Sequence, residues 1–165
     1  MNQDDLLVLA KKTYAVFGMD VDQEEKQLCV KKYKNCVVFT LTNNSAECIL
    51  WHFSGKFYMG GWKAGQPGEG EKHGEGLEII PEKYIYKGQF LNGKKNGTGI
   101  LKLANGNLYD GQWIDGLKNG RGVYLDAATR VIYSGEWKEG KKDGQGYLKL
   151  SDKEYYYGTF NKSVK

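Results

Sequence analysis

The residues best placed by type to do chemistry are His52 with Cys48 close by, the segment His73-Gly74-Glu75-Gly76, and the glycine-rich run from Gly65 to Gly76. A cysteine and a histidine together can form a nucleophile or part of a metal site. The chain has two histidines and no further ligand at suitable spacing, so His52 reads as a partly buried strand residue. A glycine-rich loop can cradle phosphate, but this one has neither the Lys-Ser/Thr ending of a nucleotide loop nor the spacing of a dinucleotide fingerprint. Glu69, Glu71 and Glu75 would also repel an anion. His73-Gly74-Glu75-Gly76 resembles an oxyanion loop, yet no Gly-x-Ser-x-Gly elbow accompanies it. The acidic residues are scattered over turns without a recurring close pair. The chain is therefore expected to be no enzyme and to hold no cofactor or metal.

The densest stretch, YSGEWKEGKKDGQG from Tyr133, mixes rings, glycines and charges of both signs. A catalytic constellation occurs once in a chain, whereas a building unit recurs. This one recurs: YKGQFLNGKKNGTG starts at Tyr86 and YDGQWIDGLKNGRG at Tyr109, so the three starts lie 23 and then 24 residues apart. The shared register is Tyr-x-Gly-x-aromatic-x-x-Gly-x-x-x-Gly-x-Gly. An earlier copy at Tyr58 keeps Gly60, Trp62 and Gly65, but Gly74 and Gly76 arrive late, after the inserted loop AGQPGEGEKH. A last copy begins at Tyr156 with Gly158 and Phe160 and reads as truncated.

The elements that position these residues follow from period two. In an extended chain Tyr86, Gly88 and Phe90 share one face, as do Tyr109, Gly111, Trp113 and Tyr133, Gly135, Trp137. Glycine between two large rings leaves room for a ring from the adjacent strand. Gly97, Gly99 and Leu101 form a second limb of like parity, and Asn92-Gly93, Asp115-Gly116 and Asn105-Gly106 suit tight hairpin turns. Each repeat reads as a two-strand hairpin too small to fold alone, so stability requires stacking into a quasi-one-dimensional array.

The pattern resembles the MORN (membrane occupation and recognition nexus) repeat over residues 58 to about 161. The expected fold is an all-β repeat protein, an elongated single-layer twisted antiparallel sheet of stacked MORN hairpins with a short N-terminal α-helix. The resemblance also implies phosphoinositide contact as a candidate, end-to-end or antiparallel self-association, and membership of cytoskeletal assemblies such as radial spokes and basal bodies.

Two regions are expected, 1–55 and 56–165, because 21 of the 23 glycines lie from residue 60 onward. Residues 1–55 carry six basic against seven acidic residues and 56–165 carry 18 against 13, consistent with the net +4. Leu6, Leu7, Ala10, Tyr14 and Phe17 fall at helical intervals after Asp4 and Asp5 and before Gly18, so a helix is expected over about 4–17. Tyr33, Asn35 and Val37 suggest a degenerate repeat over 33–55. Cys29, Cys36 and Cys48 match neither a zinc pattern nor a paired disulfide framework, the N-terminus lacks a basic leader, and no apolar run approaches membrane-spanning length. A cytoplasmic protein, located at the cytoskeleton or cilium, is expected.

Two surface features remain. Lys94, Lys95, Lys118, Lys141 and Lys142 occupy equivalent turns and would form a rail with a step of about 10 Å, suited to an anionic partner. At about 1 kcal/mol per lysine such a rail alone would bind a membrane only weakly. Tyr155, Tyr156, Tyr157 and Phe160 lie on a terminal edge that would recruit another strand or a second copy. The basic excess is modest and only two residues are arginine, so no nucleic acid is expected. The function expected is a non-enzymatic protein–protein interaction scaffold within a larger cytoskeletal or ciliary (axonemal, radial-spoke-like) assembly. The alternative is a peripheral membrane adaptor for anionic phospholipids such as phosphoinositides.

Overall fold

The structure, a computed structural model, describes residues 28–32, 36–41, 47–52, 55–63 and 70–162, with side chains from 55 onward. The helix expected over about 4–17 and most of the inserted loop lie outside the described residues. Among the described residues twelve strands form one antiparallel sheet in chain order. They are β1 (Leu28–Lys32), β2 (Cys36–Leu41), β3 (Glu47–His52), β4 (Phe57–Lys63), β5 (Glu71–Ile80) and β6 (Tyr84–Leu91). The second half comprises β7 (Lys94–Leu103), β8 (Leu108–Ile114), β9 (Leu117–Leu125), β10 (Ile132–Lys138), β11 (Lys141–Lys149) and β12 (Tyr155–Phe160). Among the described residues no helix occurs.

The core is a zipper of rings along one face. Tyr58, Tyr86, Tyr109 and Tyr133 are buried, each meeting the aromatic of its own strand and that of the next repeat. Tyr109 packs edge to face on Trp113 at 5.0 Å and on Trp137 at 5.2 Å, and Tyr133 on Trp137 at 5.2 Å and on Phe160 at 4.9 Å. T-shaped geometry suits the ring quadrupole. Each tyrosine ring lies across a pair of glycines: Gly111 faces Gly122, and a Cβ on Gly122 would stand 2.4 Å from the Tyr109 hydroxyl.

A bulge follows the glycine pair within each of the four hairpins that start at Tyr58, Tyr86, Tyr109 and Tyr133. Gly88 pairs with Gly99 but Phe90 pairs with Lys95, so Asn96, Gly97 and Thr98 face the single residue Gln89. This frees the Gln89 carbonyl, and the Tyr86 hydroxyl donates to it at 3.0 Å. The same bond joins Tyr58 to Gly61, Tyr109 to Gln112 and Tyr133 to Glu136, at 2.7, 2.9 and 2.8 Å. The Gln89 and Gln112 side chains accept from the backbone N–H of Thr98 and Arg121 across the bulge. The repeat tyrosine thus supplies both the buried ring and the partner its own strand needs, since a buried carbonyl must be satisfied.

One of the expected turns departs from its reading. Asn92-Gly93 and Asp115-Gly116 have positive φ at both positions, as tight hairpins require, and Glu139-Gly140 does the same. Asn105 is not in that region; only Gly106 is, and its N–H bonds to Leu103 O at 2.9 Å in a different turn. Before β4 the same row of paired positions continues through the backbone of β3 and β2. Tyr86 faces Leu101 and Tyr58 faces Glu78, and Leu50 faces Tyr58 on one side and Val38 on the other. Tyr33 and Asn35 lie outside the described residues.

Candidate functional site

The five turn lysines do not form one rail, because neighbouring strand residues point to opposite faces. Lys94 and Lys141 are exposed on the face away from the rings, Lys94 beside Asp115 at 3.4 Å. Lys95, Lys118 and Lys142 are half-buried on the aromatic face, opposite Phe90, Trp113 and Trp137. A fourth member, Lys72, stands opposite Trp62 in the same slot. Its place was readable as Gly-x-Lys-x-Gly at 70–74, 93–97, 116–120 and 140–144, but the insertion before the first copy hides the repetition.

This ladder is held by backbone bonds from turn to turn. Gly93, Gly116 and Gly140 donate their N–H to the carbonyls of Lys72, Lys95 and Lys118 at 3.0, 2.8 and 2.9 Å. The ammonium groups lie over rings: Lys95 over Tyr84 at 3.9 Å and Tyr86 at 4.9 Å, Lys142 over Tyr133 at 4.9 Å. Lys118 sits over three, Tyr109 at 4.8 Å, Tyr124 at 4.5 Å and Trp137 at 4.7 Å. Such contacts contribute about 0.5–2 kcal/mol each, more as water is excluded.

The electrostatics differ along the ladder. Glu78 is buried on the aromatic face, paired with Lys72 and accepting from the Tyr84 hydroxyl at 2.7 Å. Burial alone would push its carboxyl up, but those two hydrogen bonds and the charges of Lys72 and Lys95 hold it below the ordinary value. Tyr84 is raised by burial and by Glu78. Lys95 is lowered by burial, with Glu78 opposing. Lys118 is pushed down to about 8 by burial and by the like charge of Lys142. Tyr109, raised by burial and by Asp110, stays neutral beside it.

The edge aromatics divide in the same way. Phe160 is buried against Tyr133, and Tyr156 is half-buried with its hydroxyl 3.3 Å from Thr159 O. Tyr155 and Tyr157 stand on the other face, 68% and 73% exposed, near Tyr147. Among the described residues no group of three potential metal ligands occurs.

A tyrosine closing its own bulge, a ring four residues on, and paired glycines beneath define a unit that recurs strand pair by strand pair. A model of the MORN repeat family matches residues 86–108, 109–127 and 133–154. These are MORN repeats. MORN repeats are protein or membrane-lipid interaction modules. Among curated proteins none matches the chain. The Tyr58 copy lies outside the matched segments yet carries the same bulge bond, to Gly61, while Tyr156, on a strand without a bulge, makes the equivalent but longer bond to Thr159.

Proposed function

We propose that the chain is a non-catalytic protein–protein interaction scaffold that works in the cytoplasm within a cytoskeletal or ciliary assembly. The observation that carries this reading is the continuous face of rings and recessed lysines, one lysine per repeat over Lys72, Lys95, Lys118 and Lys142. Such a face offers apolar area with periodic charge along its length, which suits a long partner segment better than a small molecule. The resemblance to radial-spoke and basal-body repeat proteins supports the cytoskeletal setting. A second copy pairing at the β12 edge, through Tyr155 and Tyr157, belongs to the same reading, since among the described residues β12 pairs only with β11.

Anionic lipid is the weaker reading. The positive side chains are shared between two faces, so a flat bilayer meets only part of them. Of the five turn lysines, only the exposed pair Lys94 and Lys141 would meet it on the far face, contributing about 2 kcal/mol. A photo-crosslinking residue placed at Lys95 in the full chain, and separately at Lys94, tests the choice in cells. The reading predicts that a chain co-purifying in fixed proportion crosslinks at Lys95 and not at Lys94. Crosslinking to lipid alone, or only from Lys94, would overturn it.

A further inference from the structure

Among the residues described with side chains, Glu78 is the one buried acid, and the register shows why it stands alone. Its row, Glu78 opposite Tyr86, recurs as Leu101 opposite Tyr109, Tyr124 opposite Tyr133 and Leu148 opposite Tyr156. The first repeat carries its own counter-ion, paired to Lys72, while the later repeats carry apolar or phenolic groups in that slot. Lys118 is the clearest case. Its ammonium is enclosed by Tyr109, Tyr124 and Trp137, no described carboxylate lies in ion-pair range, and the neighbouring charge acting on it is that of Lys142.

We propose that the aromatic face takes an extended acidic peptide segment with carboxylates at three-residue intervals, one of them seated on the Lys118 ammonium. This rests on the protein-binding reading above and names the chemistry of the bound segment. The spacing follows from geometry. One ladder lysine per two strands gives a step of about 10 Å, and a polyproline-type chain rising about 3.1 Å per residue returns to the same side after about 9 Å. A carboxylate at Lys118 would do for that ammonium what Glu78 does for Lys72, with surrounding rings thinning the water around the pair. The downward pull on the Lys118 amine fits a site short of negative charge. A bilayer fits less well, because these ammoniums are recessed among rings while the exposed Lys94 and Lys141 face away.

The test is fluorescence anisotropy on the full chain with a labelled peptide of about five Glu-Pro-Ala triplets, its glutamine counterpart, and phosphatidylserine vesicles. Saturable binding of the glutamate peptide is expected, weakened about tenfold or more by Gln for Glu and by Lys118→Met. Lys118→Arg, which keeps the charge, should retain it, and the double variant Lys94→Met with Lys141→Met should change it by less than about twofold. Equal binding of the glutamate and glutamine peptides overturns the carboxylate claim and leaves the protein-binding face standing. Wild-type affinity in Lys118→Met, no saturable binding of the glutamate peptide, or Lys118-dependent binding to vesicles alone, each overturns the proposal.

Discussion

Replacing Tyr109 by Phe removes a single oxygen and leaves the ring stack on Trp113 and Trp137 in place. The lost hydroxyl is the one that donates to the Gln112 carbonyl at 2.9 Å, where the bulge has taken that carbonyl out of the ladder. Tyr109 is 1% exposed, so water cannot replace the bond without opening the zipper. A buried carbonyl left without its partner costs about 1–3 kcal/mol. With a urea slope near 2 kcal/mol/M for a chain of this size, the midpoint should fall by about 0.5–1.5 M with the slope unchanged. Tyr156→Phe is the internal control: its bond is 3.3 Å and exposed, so its loss should cost less than about 0.5 kcal/mol. Gly122→Ala adds a second check, because its Cβ would stand 2.4 Å from the same hydroxyl and 2.6 Å from two carbons of the ring. Its cost should be smaller in the Tyr109→Phe background by the hydroxyl's share alone, because Phe keeps the two ring carbons that the new Cβ meets. Equal midpoints for Tyr109→Phe and wild type, or equal costs for Tyr109→Phe and Tyr156→Phe, would refute the bulge-closing role.

Glu139 holds positive φ in a slot filled elsewhere by Asn92 and Asp115, so Glu139→Asn should stabilise the chain by roughly 0.5–1 kcal/mol in urea unfolding. Lys118 faces Tyr109 on β8, Tyr124 on its own strand β9, Trp137 on β10 and Lys142 on β11, and its folded pKa of about 8 lies below the ordinary lysine value. The unfolded chain therefore holds a proton that the folded chain has released, and stability attributable to this group should rise as pH climbs above about 8. Lys118→Met should flatten that rise between pH 8 and pH 9.5, a range chosen to stay below tyrosine ionisation, as thermal melts across pH would show. Changing Tyr155 and Tyr157 to Ser should leave the melting temperature within about 2 °C, because both rings are exposed, while lowering any oligomer seen by light scattering to monomer.

Much of the architecture is legible because period two and a recurring 23- to 24-residue step are properties of residue order alone. The paired glycines, the tyrosine and the second ring stand in the sheet where their parity places them, and Asn92-Gly93 and Asp115-Gly116 announce their own backbone geometry. Glu139-Gly140 does not, since glutamate carries little preference for positive φ and adopts it here because the hairpin demands it. The lysines show the opposite failing. Lys94 and Lys95 are adjacent, so parity already separates them, but grouping them by turn position conceals it. Glu78 was not legible because its burial depends on Tyr84, which reaches it only once β5 and β6 are paired, and on Lys72, six residues away on its own strand. The bulge bond was equally hidden, as the carbonyl a tyrosine meets three residues on is set by a register shift against another strand.

The central claim is that one face of this ribbon, the one carrying rings and recessed lysines, is the surface that binds. Lysine footprinting of the natively purified complex tests it face by face, with acylation at each lysine read by mass spectrometry before and after the partner is stripped away. Partner binding should protect Lys95, Lys118 and Lys142 while Lys94 and Lys141, on the other side of the same strands, keep their reactivity. Protection of Lys94 and Lys141 with unchanged labelling of Lys95 and Lys118 would contradict the account.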